Sequence, residues 1–215
     1  MADRPFSPSA FRQAAREIAA VSERLYQHGW SPATSSNYSA RLDQNHCAIT
    51  VSGRDKGRLT EADVMVVDLD GAPLTDGKPS AETGLHTHLY ARFPHAGAVL
   101  HTHSLAATVL TMNLPATGSE ALILEDYELL KALEGFTTHE SSLTIPVLPN
   151  DQDISVLAAL ADQALQAPGT GPAYLIRGHG LYTWASDMAS CYRHIEALEF
   201  LLAAELERRK LEVRQ

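Results

Sequence analysis

The chain of 215 residues is 45% hydrophobic and 20% charged, which fits one compact domain, because two full domains would each fall near the low end of domain size. Lys and Arg number 17 against 26 Asp and Glu, a formal charge of -9, so the long-range field repels a polyanion and argues against a nucleic-acid partner. A small anion is not excluded, since a few backbone N–H groups and one or two cations can hold a phosphate inside a negative protein.

The first twenty residues have no apolar core of signal-peptide kind, and no run approaches the ~18 apolar residues of a membrane span, so a cytoplasmic protein without a membrane partner is expected. Ser7-Pro8 offers an N-cap with proline at N1, and Phe11, Ala14, Ile18, Val21 and Leu25 form one apolar stripe. This pattern predicts a helix from about Pro8 to His28, ended by Gly29. Asn37–Leu42, His46–Val51 and Val64–Leu69 carry β character between polar turns, with Asp70-Gly71 as a hairpin signal, and read as an antiparallel meander. Ser80 can cap a helix reaching about Phe93; Ala96–His103 reads as a buried strand, Leu105–Met112 as a short helix and Glu125–Glu134 as another helix.

Further on, Leu143–Leu148 and Ala173–Arg177 read as strands with the helix Ile154–Gln166 between them, and Leu181–Trp184 as one more strand. The last helix is capped by Ser186 or Asp187 and carries Met188, Cys191, Ile195, Leu198, Leu202 and Leu206 at spacings of three and four. Pro and Gly punctuate the chain evenly, without repeats or a linker. The expectation is a single α/β domain over residues 1–215, a three-layer α/β/α arrangement around a central, largely antiparallel sheet.

The two cysteines, Cys47 and Cys191, lie far apart and outside any CxxC pattern, so both are expected reduced and structural. The ten histidines carry more. His101-Thr102-His103 ends an apolar segment, and in a strand residues i and i+2 face the same side. Alone, such a pair fits two solvated rings as well as a metal site. His179, flanked by Gly178 and Gly180 at the end of a strand, offers a third imidazole, and three imidazoles suit a catalytic zinc with an open position. His86 and His88 fall in a helix, where i and i+2 diverge; with His28, His46, His95, His139 and His194 they read as surface or supporting residues.

Thr34-Ser35-Ser36-Asn37, Val51-Ser52-Gly53, Pro79-Ser80-Ala81-Glu82, His101-Thr102-His103 and Gly178-His179-Gly180 stand in this order along the chain. In that order and over nearly the whole length, the sequence resembles the class II aldolase/adducin family. Two departures stand out: Ser35-Ser36 where relatives commonly have glycine, and Ala185 after Trp184 where glycine is usual. Some dehydratases of the family carry cysteine at the position of Glu82, whereas this chain has the carboxylate that aldolases also carry.

The resemblance implies a phosphorylated ketose substrate, one Zn2+ per subunit on His101, His103 and His179, and a homo-oligomer, a tetramer with active sites near subunit contacts. It assigns Glu128 to proton transfer in the dehydratases, and Glu82 to the metal side. A zinc-polarised carbonyl acidifies the neighbouring C–H, after which either loss of water or cleavage of a C–C bond can follow. The metal site therefore leaves a dehydratase open beside a sugar-phosphate aldolase or epimerase. A non-catalytic adducin-like assembly module is less favoured, because all the metal ligands are retained. Asn37, Ser52, Gly53 and Ser80, with Lys56 as the nearby cation, are the expected phosphate contacts, although each is also ordinary turn chemistry.

Overall fold

The computed structural model describes residues 5–115 and 120–212. Helix α1 (Pro8–Gln27) starts where Ser7 Oγ accepts from the Ala10 N–H at 3.4 Å and ends at His28, before Gly29 turns away with φ +77°. Its stripe of Ala14, Ala15, Ile18, Val21 and Leu25 is buried. Strands β1 (Asn37–Arg41), β2 (His46–Thr50) and β3 (Val64–Asp68) form the expected antiparallel meander. The following elements are α2 (Thr83–Arg92), β4 (Ala98–Thr102), α3 (Leu105–Met112), β5 (Glu120–Glu125), β6 (Ser142–Leu148), α4 (Ile154–Ala164), β7 (Ala173–Ile176), β8 (Gly180–Ala185) and α5 (Met188–Glu212).

The strands form one mixed eight-stranded sheet in the order β3-β2-β1-β4-β8-β7-β6-β5. The chain divides into two compact units, one holding residues up to Thr102 with Trp184–Cys191, the other His103–Thr183 with Tyr192 onward. In the first, α1 packs on β1, β2 and β3, and β4 pairs antiparallel with β1 so that Asn37 stands opposite His101. Gly97, just before β4, is held so close to the chain after β8 that a Cβ there would lie 2.1 Å from the carbonyl oxygen of Ser186. In the second, β6 pairs antiparallel with β5 and parallel with β7, β7 pairs antiparallel with β8, and α3 and α4 pack on β7 and β6. The parallel pair follows from the α4 crossover, because parallel neighbours need a connection long enough to return the chain.

Three expected elements are corrected. Strand β5 replaces the start of the helix expected over Glu125–Glu134, which is reduced to a 3-10 turn at Glu128–Ala132. Along β5 Leu122 and Leu124 are buried while Ile123 is exposed, a period of two, and Asp126 then breaks the chain direction with φ +61°. Helix α2 begins at Thr83 instead of Ser80. Strand β4 ends at Thr102, leaving His103 one residue beyond it. Among the described residues no helix is long and apolar enough to cross a membrane. Cys47 and Cys191 are both buried, and burial pushes the Cys47 thiol up to about 12, which suits an inert core residue.

Candidate active site

His101 sits near the end of β4, fully buried, and His103 follows in the turn before α3. His179 occupies the β7–β8 turn after Gly178, whose φ of +62° favours glycine and whose missing Cβ leaves room for Met112. That turn is clamped. The Gly178 N–H donates to Thr111 Oγ1 at 2.9 Å, and the Arg177 guanidinium donates to the carbonyls of Thr111, Leu114 and Pro115 while pairing with Glu120. The rings of His103 and His179 lie 4.7 Å apart.

One nitrogen from each of His101, His103 and His179 lies within 4.8 Å of the others, and no other group of three metal-ligating side chains forms among the described residues. Nitrogens around one tetrahedral ion at about 2.0–2.1 Å stand roughly 3.3 Å apart, a separation inside the range this set spans. The donor set, all imidazole with a carboxylate adjoining, fits a divalent transition metal.

That carboxylate is Glu82, at the N-terminal boundary of α2. Its Oε2 stands 3.5 Å from His101 Nε2 and accepts from Asn37 Nδ2 at 2.7 Å. Ser80 Oγ accepts from the Glu82 N–H at 3.3 Å and lies 3.5 Å from Asn37 Nδ2. Ser80 thus shapes the turn before α2 instead of capping the helix. Asn37 Oδ1 faces Nε2 of His86 in a short hydrogen bond, and His86 Nδ1 lies 2.7 Å from Ser39 Oγ, itself 2.8 Å from the Tyr90 hydroxyl. Burial holds the His86 pKa down at about 4, with the charge of Glu82 opposing.

The remaining expected phosphate contacts divide. Ser52 and Gly53 lie exposed on one turn, Gly53 at φ +72°, and the Ser52 N–H donates to the Lys78 carbonyl at 2.9 Å, joining that turn to the segment entering Ser80. Lys56, expected as an available cation, is 1% exposed. Its Nζ donates to the carbonyls of Thr34 at 3.2 Å and Arg54 at 3.0 Å, and burial lowers its pKa to about 8. The ammonium stitches together the two turns expected to meet the phosphate. Ser36 stands at φ +73° in the first of them, the left-handed conformation that glycine adopts without strain.

Glu128 is placed differently from Glu82. Its side chain is 74% exposed on the 3-10 turn, paired with Lys131 and 3.8 Å from His139 Nδ1, and the Lys131 ammonium holds its pKa below the usual carboxylate range. It is not among the groups gathered around His101.

Sequence reasoning left His86 as a surface or supporting residue, whereas it lies fully buried between Asn37 and Ser39. A signal was present: Asn37 and Ser39 are polar at i and i+2 of β1, one face of a buried strand, and require polar partners from whatever covers it.

Residues 16–206 match the family model for the class II aldolase and adducin N-terminal domain. The chain is 59% identical over 211 residues to the methylthioribulose-1-phosphate dehydratase of Alcanivorax borkumensis, covering 98% of this chain and 99% of that one. It is 55% identical to the enzyme of the same name from Marinobacter nauticus, with 94% and 97% covered. Among solved structures, L-fuculose-1-phosphate aldolase from Thermus thermophilus superposes with a TM-score of 0.70 at 28% identity, covering 95% of each chain. A sugar-phosphate aldolase from Thermotoga maritima, with a TM-score of 0.69 at 23% identity over 93% of this chain and 96% of its own, shares the fold. With the family model spanning nearly its whole length and relatives this similar end to end, the chain belongs to the class II aldolase and adducin family.

Proposed function

We propose that this chain, acting as one functional domain, is a hydro-lyase that dehydrates 5-methylthioribulose 1-phosphate to 2,3-diketo-5-methylthiopentyl 1-phosphate in methionine salvage. The observation that carries this reading is the 59% identity to a methylthioribulose-1-phosphate dehydratase over 98% of the chain. The histidine cluster gives the reading a chemical basis.

His101, His103 and His179 would hold the metal, with zinc the ion best matched to three imidazoles and an open position. When bound, it supplies Lewis acidity toward the C2 carbonyl of the ketose. Glu128, ionised beside Lys131 and exposed outside its own subunit's histidine cluster, would serve as the base across a subunit contact of the oligomer: it takes the proton from C3 and returns it to the C4 hydroxyl, which leaves as water. The enol left across C3 and C4 then ketonises at C3, giving the diketone. Glu82 stays beside His101 as a fixed negative charge. The phosphate lies against the turns carrying Asn37, Ser52, Gly53 and Ser80, with Lys56 supplying positive charge beneath them. The enzyme works in the cytoplasm as a homo-oligomer, a tetramer, for which the exposed apolar side chains Leu105, Met112 and Phe200 offer burial.

Product analysis tests the reading. Incubation with methylthioribulose 1-phosphate should yield a diketone, with simpler ketose 1-phosphates as controls. A class II aldolase activity is favoured by one observation, the Glu82 carboxylate next to His101. Two shorter fragments in place of the diketone would establish that activity and overturn the dehydratase.

A further inference from the structure

The hydrogen bonds running from Tyr90 to Glu82 have only one consistent direction. Glu82 Oε2, as a carboxylate oxygen, can only accept, so the group that Asn37 presents to it at 2.7 Å must be the amide NH2. The carbonyl oxygen of the same amide then faces His86 Nε2, which must carry a proton to donate. His86 is fully buried and neutral, with a pKa near 4, so its Nδ1 is bare and accepts from the Ser39 hydroxyl, whose oxygen accepts in turn from Tyr90. The backbone fixes the frame: Asn37 and Ser39 share one face of β1, and His86 and Tyr90 lie four residues apart on one face of α2.

We propose that His86 is a positioning residue, which through its Nε2–H locks the Asn37 amide in the orientation that holds the Glu82 carboxylate beside His101. This rests on the role given above to Glu82 and adds a cause for its placement. Without the Nε2–H donor, Asn37 can rotate its amide and present a carbonyl oxygen to Glu82, turning an attraction into a repulsion. The carboxylate then loses its fixed rotamer. Supporting residues of this kind typically change metal affinity or activity about 10–100-fold when removed.

Nitrogen NMR on the intact wild-type protein labelled at histidine reads the tautomer directly and does not depend on turnover. The expected result is protonated Nε2 and bare Nδ1 for His86 at neutral pH, assigned by loss of the signal in His86→Gln. A proton on Nδ1 overturns the proposal. His86→Leu and His86→Gln supply the functional half, because glutamine can keep an N–H donor near the Nε2 position and leucine cannot. With both variants folded by circular dichroism, His86→Leu should lose about 10–100-fold in kcat or metal affinity with KM little changed, and His86→Gln should recover most of it. Equal losses in both, or none in His86→Leu, overturn it. Glu82→Gln, made alongside, separates the two ideas: if it is fully active, the role given to Glu82 fails, whereas an impaired Glu82→Gln with an unaffected His86→Leu sinks the positioning role alone.

Discussion

The ammonium of Lys56 donates to the backbone carbonyl of Thr34 at 3.2 Å across 22 residues of sequence, and to that of Arg54 at 3.0 Å. A buried amine so held is a fastener for two turns as well as a charge. Its pKa, lowered to about 8 by burial against the pull of Asp55, puts its loss of charge just above neutral pH.

If that charge serves the substrate phosphate, KM should rise from about pH 8 upward, by up to about tenfold per pH unit, since only the protonated amine attracts the anion. Lys56→Met should show a KM raised about tenfold or more and flat through that range, with kcat less affected because contacts to a non-reacting group are shared by ground and transition states. A flat wild-type profile up to pH 10 would remove Lys56 from anion binding and leave it the fastener's role.

Metal should leave with the histidines. His101→Ala/His103→Ala is expected to purify without stoichiometric metal while remaining folded, and His88→Ala to keep it. Since binding to the folded state alone adds about 2.7 kcal/mol at a hundredfold excess over Kd, a chelator should lower the Tm of the wild type and leave the double variant unmoved. Metal analysis and a thermal scan with and without chelator check both.

The two glutamates should part company. Glu128→Gln keeps shape and metal but cannot titrate, so kcat should fall about 10²–10⁴-fold at full metal content. Glu82→Gln should disturb metal affinity together with rate, because Glu82 Oε2 lies 3.5 Å from His101 Nε2. A fully active, metal-loaded Glu128→Gln enzyme would take Glu128 out of the mechanism.

Stability should fall on mild acidification through His86. Its folded pKa of about 4 lies below the ordinary 6.5, so between those values the unfolded chain binds a proton that the folded chain refuses. Its contribution is complete above pH 6.5 and lost as the pH falls towards 4, on the order of 3 kcal/mol at most. Urea unfolding at pH 7 and pH 5, in chelator to remove the metal's own acid sensitivity, should show a smaller drop for His86→Gln than for wild type.

Local signals were legible from the sequence. Ser7-Pro8 and Gly29 bounded α1, Leu105–Met112 matched α3 at both ends, and the meander, the helix α4 between two strands and the long α5 followed from caps and periodicity. The histidines that cluster were likewise named by strand spacing and a glycine-flanked turn, and the ordered motifs pointed to the family that the comparisons bear out. What escaped depended on partners distant in sequence. Edge strand β5 is defined by its pairing with β6, so a stretch running into Tyr127-Glu128 looked helical on its own. The burial of Lys56 comes from packing that no window of neighbours contains, and only the β1–β4 register sets Asn37 opposite His101. The sequence by itself determined which chemistry-bearing residues the chain has and the local elements that carry them. The tertiary structure decided which are dry, which are paired and in which direction their hydrogen bonds run, because burial and strand register are set by contacts between segments far apart in the chain.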